Sequence, residues 1–210
     1  MTKTYMEMAF TDAVRELQTE NGSADHYSAE RIGSPQEDNY GEYEIDFIQR
    51  CDSFYMTSIN ANGWPYIQHR GGPAGFLKVT GPKTMIMPEF PGNRQYLTLC
   101  KLSENNRTSL FLMDYPRKAR LKIFARSKLI RLADNKQAAE AIKHSAINFD
   151  AQYALEFELE AFDWNCPKYI TPRYTEDDIR AVTSKMTSRI AELETQLAEL
   201  KSSIQEHEAN

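Results

Sequence analysis

The chain changes its hydrophobic rhythm several times, and each change marks an element. Phe10, Ala13, Val14 and Leu17 fall at helical spacing and the pattern stops at Asn21-Gly22, which predicts an amphipathic helix over Phe10–Glu20. Ser23 to Tyr43 is rich in Gly, Ser, Pro, Asp and Asn without a period and reads as a connection, followed by a short helix over Glu44–Arg50 through Ile45, Phe47 and Ile48. From Ser53 the chain turns aromatic and β-branched: Phe54–Ile59 runs into the hairpin turn Asn60-Ala61-Asn62-Gly63, and Trp64–His69 returns. Phe76–Val79 and Thr84–Met87, separated by the breakers Thr80-Gly81-Pro82, predict a second hairpin.

Asn93–Asn105 carries Tyr96, Leu97, Leu99, Cys100 and Leu102 at roughly helical spacing, with Asn93 as its N-cap, and leads into a strand over Thr108–Met113. After the turn Asp114–Lys118, residues Leu121–Leu132 nearly alternate apolar with basic side chains. Asn135–Ile147 reads as a helix, and in the last strand, Ala154–Phe162, Leu155, Phe157 and Leu159 face one way and Glu156, Glu158 and Glu160 the other. Hairpins with short helices between them predict a mainly β, α+β fold: a split or closed antiparallel barrel with peripheral helices, which limits exposed sheet edges. After Thr175 there is neither Gly nor Pro, and Ile190, Leu193, Leu197, Leu200 and Ile204 alternate steps of three and four. Ile179, Val182 and Met186 extend this stripe, with a step of four from Met186 to Ile190 that breaks a strict heptad. The expected organisation is a barrel domain over 1–174 and a coiled-coil-like helix over 175–210, roughly 45 Å long at about 1.5 Å per residue.

Composition adds bounds. With 210 residues, 41% hydrophobic and 26% charged, the chain has room for one main core plus an appendage. A net charge of −5 argues against broad binding to nucleic acid or a membrane surface, so an anionic ligand must find a local basic patch. Met1–Phe10 lacks the basic start and apolar run of a signal peptide and no stretch suffices to span a bilayer, so a cytoplasmic location is expected. Cys51, Cys100 and Cys166 are odd in number and far apart, signalling neither a disulfide framework nor a metal site, and buried thiols are the simplest reading.

Candidate chemistry concentrates in four basic clusters. In Trp64-Pro65-Tyr66-Ile67-Gln68-His69-Arg70-Gly71-Gly72-Pro73 a strand ends in a cationic, glycine-rich turn, where backbone N–H groups and a guanidinium fork can approach an anion. A plain loop explains the Gly-Gly-Pro equally well. Pro91-Gly92-Asn93-Arg94-Gln95 places Arg94 at a helix N-terminus, a phosphate seat, though a capped surface helix has the same pattern. Asn105-Asn106-Arg107 closes that helix, and Arg120 with Lys122 lies on the next long strand, where Lys122 alternatively just faces water. Trp64 and Tyr66 read more simply as barrel filling than as a cover for a ligand.

Taken in this order, the clusters resemble the pyridoxamine 5'-phosphate oxidase-like FMN-binding split barrels. The similarity runs through Gln68-His69-Arg70-Gly71-Gly72-Pro73, Gly92-Asn93-Arg94-Gln95-Tyr96, Glu104-Asn105-Asn106-Arg107, Phe111-Leu112-Met113-Asp114-Tyr115, Arg120-Leu121-Lys122-Ile123 and Asn165-Cys166-Pro167. It covers roughly Phe10 to Arg173 and leaves the C-terminal helix unmatched. The resemblance implies a homodimer with two FMN sites at the subunit interface, each built from both chains. Gln68, His69, Arg70 and Gly71 match the family strand beside the flavin and its phosphate end, and Asn106 belongs to the matched run at the end of the next helix. Asn93, Arg94 and Gln95 match the oxidase's Ser-Arg-Lys phosphate clamp; Gln95 departs from it by removing one charge. Arg120 falls near the oxidase's partner-strand Gln, which implies a place at the flavin's pyrimidine edge. The oxidase's C-terminal Arg-x-His substrate element has no counterpart, so vitamin B6 oxidation is not carried over.

The expected activity is that of an FMN-dependent oxidoreductase acting on a small organic substrate, with no catalytic residue assigned and no metal. A flavin-binding sensor, carrier or assembly protein that uses its C-terminal helix for interactions is the alternative.

Overall fold

The computed structural model describes residues 4–28, 39–90, 97–143, 151–164 and 167–208. Both hairpins form as antiparallel pairs: β1 (Ser53–Ile59) with β2 (Pro65–Gly71), and β3 (Lys78–Gly81) with β4 (Thr84–Pro88). Three longer strands, β5 (Arg107–Asp114), β6 (Ala119–Arg131) and β7 (Tyr153–Trp164), complete one antiparallel sheet in the order β2-β1-β5-β6-β7-β4-β3. Gly63 sits at the tip of the first hairpin with φ +82°, a left-handed conformation that glycine adopts without a Cβ clash. Phe76 and Leu77, expected to open β3, instead lie in the connection before it and are buried.

Alternation decides which face is buried. Along β7, Leu155, Phe157 and Leu159 are buried, as are Leu121, Ile123 and Ala125 on β6. The sheet curls so that its inner face meets itself: Phe54 of β1 and Phe157 of β7 make an edge contact at 6.3 Å between ring centroids, although β5 and β6 lie between their strands. β2 and β3, at the two ends of the strand order, are not paired with one another, so the barrel is split. On the outer face the basic residues of β6 meet the acidic ones of β7: Lys122 pairs with Asp163, Arg126 with Glu160 and Lys128 with Glu156.

Helices decorate this sheet. The described part of the helix expected over Asn93–Asn105 spans Leu97–Glu104 and forms α4; three helices precede it, α1 (Tyr5–Ala9), α2 (Asp12–Glu20) and α3 (Glu42–Arg50). α1 was not expected. Its signal is the Thr4-x-x-Glu7 capping box, and its Tyr5 ring stacks on Phe124 at 4.6 Å. Of the helix expected over Asn135–Ile147, the described residues show a 3₁₀ turn at Leu132–Asp134 and α5 (Lys136–Ala141), capped by the Asn135 side chain; residues 144–150 lie outside the described residues. Trp64 is 73% exposed and Tyr66 is half-buried under the Lys101 ammonium, so neither fills the barrel. The buried rings of Phe54 and Phe76 stack at 5.9 Å instead.

The chain divides into two compact units, one of Met1–Asp114 with Lys118–Lys168 and one of Tyr115–Arg117 with Tyr169–Asn210. The second contains α6 (Glu176–Glu208), whose first turn is capped by Thr175, and a cation–π contact of Arg173 with Tyr115 at 4.8 Å. No helix among the described residues is long and apolar enough to cross a membrane.

Candidate functional site

Strand alternation sorts the residues of β2. Gln68 and Arg70 stand opposite the buried Met56 and Phe54 and point inward, whereas His69 stands opposite Tyr55, is exposed, and meets the Tyr55 ring edge-on at 5.6 Å. Arg70 is thus a cation facing an aromatic core, with its side chain only 8% exposed. Such a charge needs a partner. Glu89, just after β4, supplies it: the same Arg70 Nη1 donates to both Glu89 carboxylate oxygens at 2.9 Å. The pair ties β2, at one end of the strand order, to the residue after β4, next to its other end, closing with side chains a seam that no backbone hydrogen bond spans among the described residues. The Arg70 Nε is buried and has no partner among the described residues.

A second contact pins the other side of the seam. The buried Thr98, in the first turn of the described part of α4, donates its hydroxyl to Gln68 Oε1 at 2.8 Å. The amide oxygen of Gln68 is thereby engaged, which leaves its NH₂ to donate elsewhere. Glu89 and Thr98 stand on either side of residues 91–96, and each is tied to β2. Asn93, Arg94 and Gln95, the expected phosphate clamp, lie outside the described residues, but the chain enters and leaves their segment against the strand that carries Gln68, His69 and Arg70.

The two glycines after Arg70 have local structural reasons. A Cβ on Gly72 would come within 2.7 Å of the Phe76 ring, so its bareness lets that ring cover the inner end of the seam, and a Cβ on Gly71 would sit 3.1 Å from His69 Cε1. Arg120 is half-buried at the start of β6, in register with Met113 of β5, one step from the row in which Leu121, Leu112, Phe54 and Arg70 lie side by side. Lys122 is committed to Asp163 at 2.7 Å and to the face of Tyr5. Asn106 lies at the other end of β5: its carbonyl accepts from Ser127 N–H, and its side-chain oxygen accepts from Arg126 at 3.4 Å. The structure therefore brings Gln68, Arg70 and the flanks of Asn93–Gln95 together, sets Arg120 near the same end of the barrel but on the strand face opposite the inward Leu121, and keeps Asn106 at the opposite strand ends.

A cavity of about 860 Å³ opens elsewhere, on the outer face, lined among others by Glu7, Thr57, Arg107, Ser109, Phe124 and Arg126. None of the expected site residues lines it. Arg126 there is already paired with Glu160, and Glu7 with the backbone of Thr4. The seam, where charge and hydrogen bonding converge, is the better candidate site. Glu89 and Thr98 are the two seam residues that sequence reasoning missed. Glu89 had a signal, being an acid directly after the apolar run Met85-Ile86-Met87-Pro88.

Cys51 is buried, and its thiol is pushed up to about 12 by burial first and by the nearby Asp114 and Asp52 carboxylates second, with Arg50 opposing weakly. Cys100 is exposed, against the expectation of buried thiols, and Cys166 lies outside the described residues. Among the described residues no group of three or more His, Cys, Asp or Glu side chains is arranged to hold a metal.

No family model matches the chain, and no curated protein matches its sequence. Solved structures similar to it include HupZ of Group A Streptococcus, with a TM-score of 0.46 and 13% identity, covering 64% of this chain and 99% of that one. A protein of Clostridium acetobutylicum related to general stress protein 26, of the pyridoxinephosphate oxidase family, gives a TM-score of 0.44 at 16% identity, with coverage of 64% and 92%. An FMN-binding protein from Syntrophomonas wolfei gives 0.41 at 14%, with coverage of 58% and 86%. The family whose motifs the sequence resembles is thus represented among these structures. None of the three decides what this chain binds.

Proposed function

We propose that the chain binds FMN at the seam of its split barrel and works in the cytoplasm as a homodimeric oxidoreductase on a small organic substrate. The observation that supports this reading is the double attachment to β2 of the segment flanking Asn93–Gln95, through Arg70–Glu89 and Thr98–Gln68. The residues flanking the second of the two clusters are thereby tied to the strand that carries the first.

The residues at hand fit the group in part. Arg94, with Asn93 and Gln95, is the phosphate clamp, because Arg70 has its charge matched by Glu89 and offers only its unpartnered Nε edge. Gln68, held by Thr98, presents its NH₂ as a fixed donor. His69 stands exposed beside Tyr55, on the face of β2 opposite Gln68 and Arg70. Arg120 would supply positive charge toward the bound group, as the resemblance implies, and so would favour its acceptance of hydride. FMN, when bound, supplies hydride transfer, and the protein supplies position and electrostatics.

The visible absorption spectrum of freshly purified protein tests the reading. Oxidised-flavin bands at one FMN per chain are the expected result, and a colourless protein that takes up no added FMN defeats it. Arg94→Ala is expected to weaken FMN retention by roughly ten- to a hundredfold, the loss of a charge-assisted phosphate contact of about 1.5–3 kcal/mol. Equal affinity in wild type and variant would remove Arg94 from the site. The exposed stripe of α6 favours one second reading, a flavin-binding carrier or assembly protein. Bleaching of the bound flavin by NAD(P)H or a substrate separates the enzyme from the carrier.

A further inference from the structure

Helix α6 carries an apolar stripe that its own compact unit leaves exposed. From Ile179 to Ile204 its side chains are between 47% and 67% exposed. Steps of three, four and four residues lead from Ile179 to Ile190, and steps of three, four, three and four lead on to Ile204. An 11-residue repeat is therefore followed by two heptads, and their opposite supercoil tendencies keep the stripe on one face of a helix with about 3.6 residues per turn. The stripe extends over more than three heptads, the length at which a coiled coil is sustained.

We propose that this stripe is covered by α6 of a second copy of the chain, parallel and in register. Two features fit that occupant, and the second of them sets its direction. With Ile190, Leu197 and Ile204 at one seam position and Leu193 and Leu200 at the other, the flanking positions are Arg189 and Gln196 on one side and Glu194 and Lys201 on the other. Between parallel copies, Arg189 of one faces Glu194 of the other and Gln196 faces Lys201, so no like charges meet. The mixed repeat is the second feature. Parallel copies set the 11-residue segment against itself and the heptads against themselves, so both helices supercoil alike along their length. Antiparallel copies would pair each kind of repeat with the other. The pairing is independent of whether the barrel holds a flavin.

Disulfide trapping in the full-length chain tests it. In a background with Cys100→Ser and Cys166→Ser, Ile190→Cys and Ile204→Cys each place a thiol at a seam position, where parallel copies bring the two Cα atoms within disulfide reach. Thr195→Cys, on the opposite face, is the control. Under mild oxidation each seam variant is expected to form covalent dimer on a non-reducing gel at least tenfold faster than the control. Adding Leu193→Asp and Leu200→Asp to Ile204→Cys is expected to bring its rate down to that of the control. Rates equal to the control in both seam variants, or cross-linking only when the two variants are mixed, would overturn the proposal. An unchanged thermal midpoint of the barrel in each variant keeps either result from being a folding failure.

Discussion

Glu89 holds Arg70 where a lone guanidinium would not stay buried, at the inner edge of the sheet beside Phe54. Removing one member of such a pair leaves an uncompensated charge, at a cost of about 3–5 kcal/mol. Glu89→Ala is therefore expected to lower the unfolding free energy by about that amount in urea titrations, while the double variant Arg70→Met with Glu89→Leu recovers most of it. A double variant as unstable as the single one would show that the seam needs charge. Cys51 gives a second residue-scale expectation. Its thiol ionises at 9.0 when free and at about 12 when folded, so the unfolded chain releases this proton first as the pH rises. The contribution is complete below 9.0 and is lost between there and about 12, where Cys51→Ala is expected to be less pH-sensitive than wild type. Native alkylation at mildly alkaline pH is expected to label the exposed Cys100 and spare Cys51, as read by mass spectrometry of peptides.

At the scale of elements, the contact of α4 with β2 depends on one hydroxyl. Thr98→Val keeps the shape and removes the donor to Gln68, and is expected to cost roughly 1 kcal/mol in stability together with a severalfold loss of FMN affinity. A stability loss with unchanged affinity would place the contact outside the site. The strands were legible in the sequence because burial on one face leaves a period of two: Leu155, Phe157 and Leu159 against Glu156, Glu158 and Glu160 needed no tertiary information. Both hairpins were legible from apolar, β-branched or aromatic runs set apart by the turn signals Asn62-Gly63 and Gly81-Pro82. What pattern reading missed depends on the curl of the sheet. Arg70 and Glu89 are 19 residues apart and meet only because β2 and β4 approach across the split, so Arg70 looked like a cation waiting for a ligand. Lys122 looked equally free until Asp163 came opposite it across β6 and β7. Gly72 looked like ligand chemistry and is in part a matter of room for Phe76. α1, only five residues long, gave no amphipathic period to detect.

For the whole molecule, the chain divides into one compact unit that holds the sheet and another that holds the long helix. A chain ending at Pro172 is expected to unfold in one transition with a midpoint within a few degrees of the full-length protein, followed by near-ultraviolet circular dichroism; a collapse of that signal would make the helix part of the folding unit. The split itself has a further consequence. A closed barrel has no strand edges, whereas among the described residues β2 and β3 each pair with a strand on one side only. β3 blunts its edge by being only four residues long, by a register irregularity after Val79 and by the ammonium of Lys78. β2 is seven residues long and guards its beginning with Pro65, which has no N–H to offer, yet it carries the exposed Ile67 at its centre. Growth by strand addition, end to end through successive molecules, is thus hindered on one side by geometry and charge, and on the other by Pro65 and by the contacts of Gln68 and Arg70 with Thr98 and Glu89. Of the two, the β2 edge is where amyloid-like polymerisation of this protein would begin.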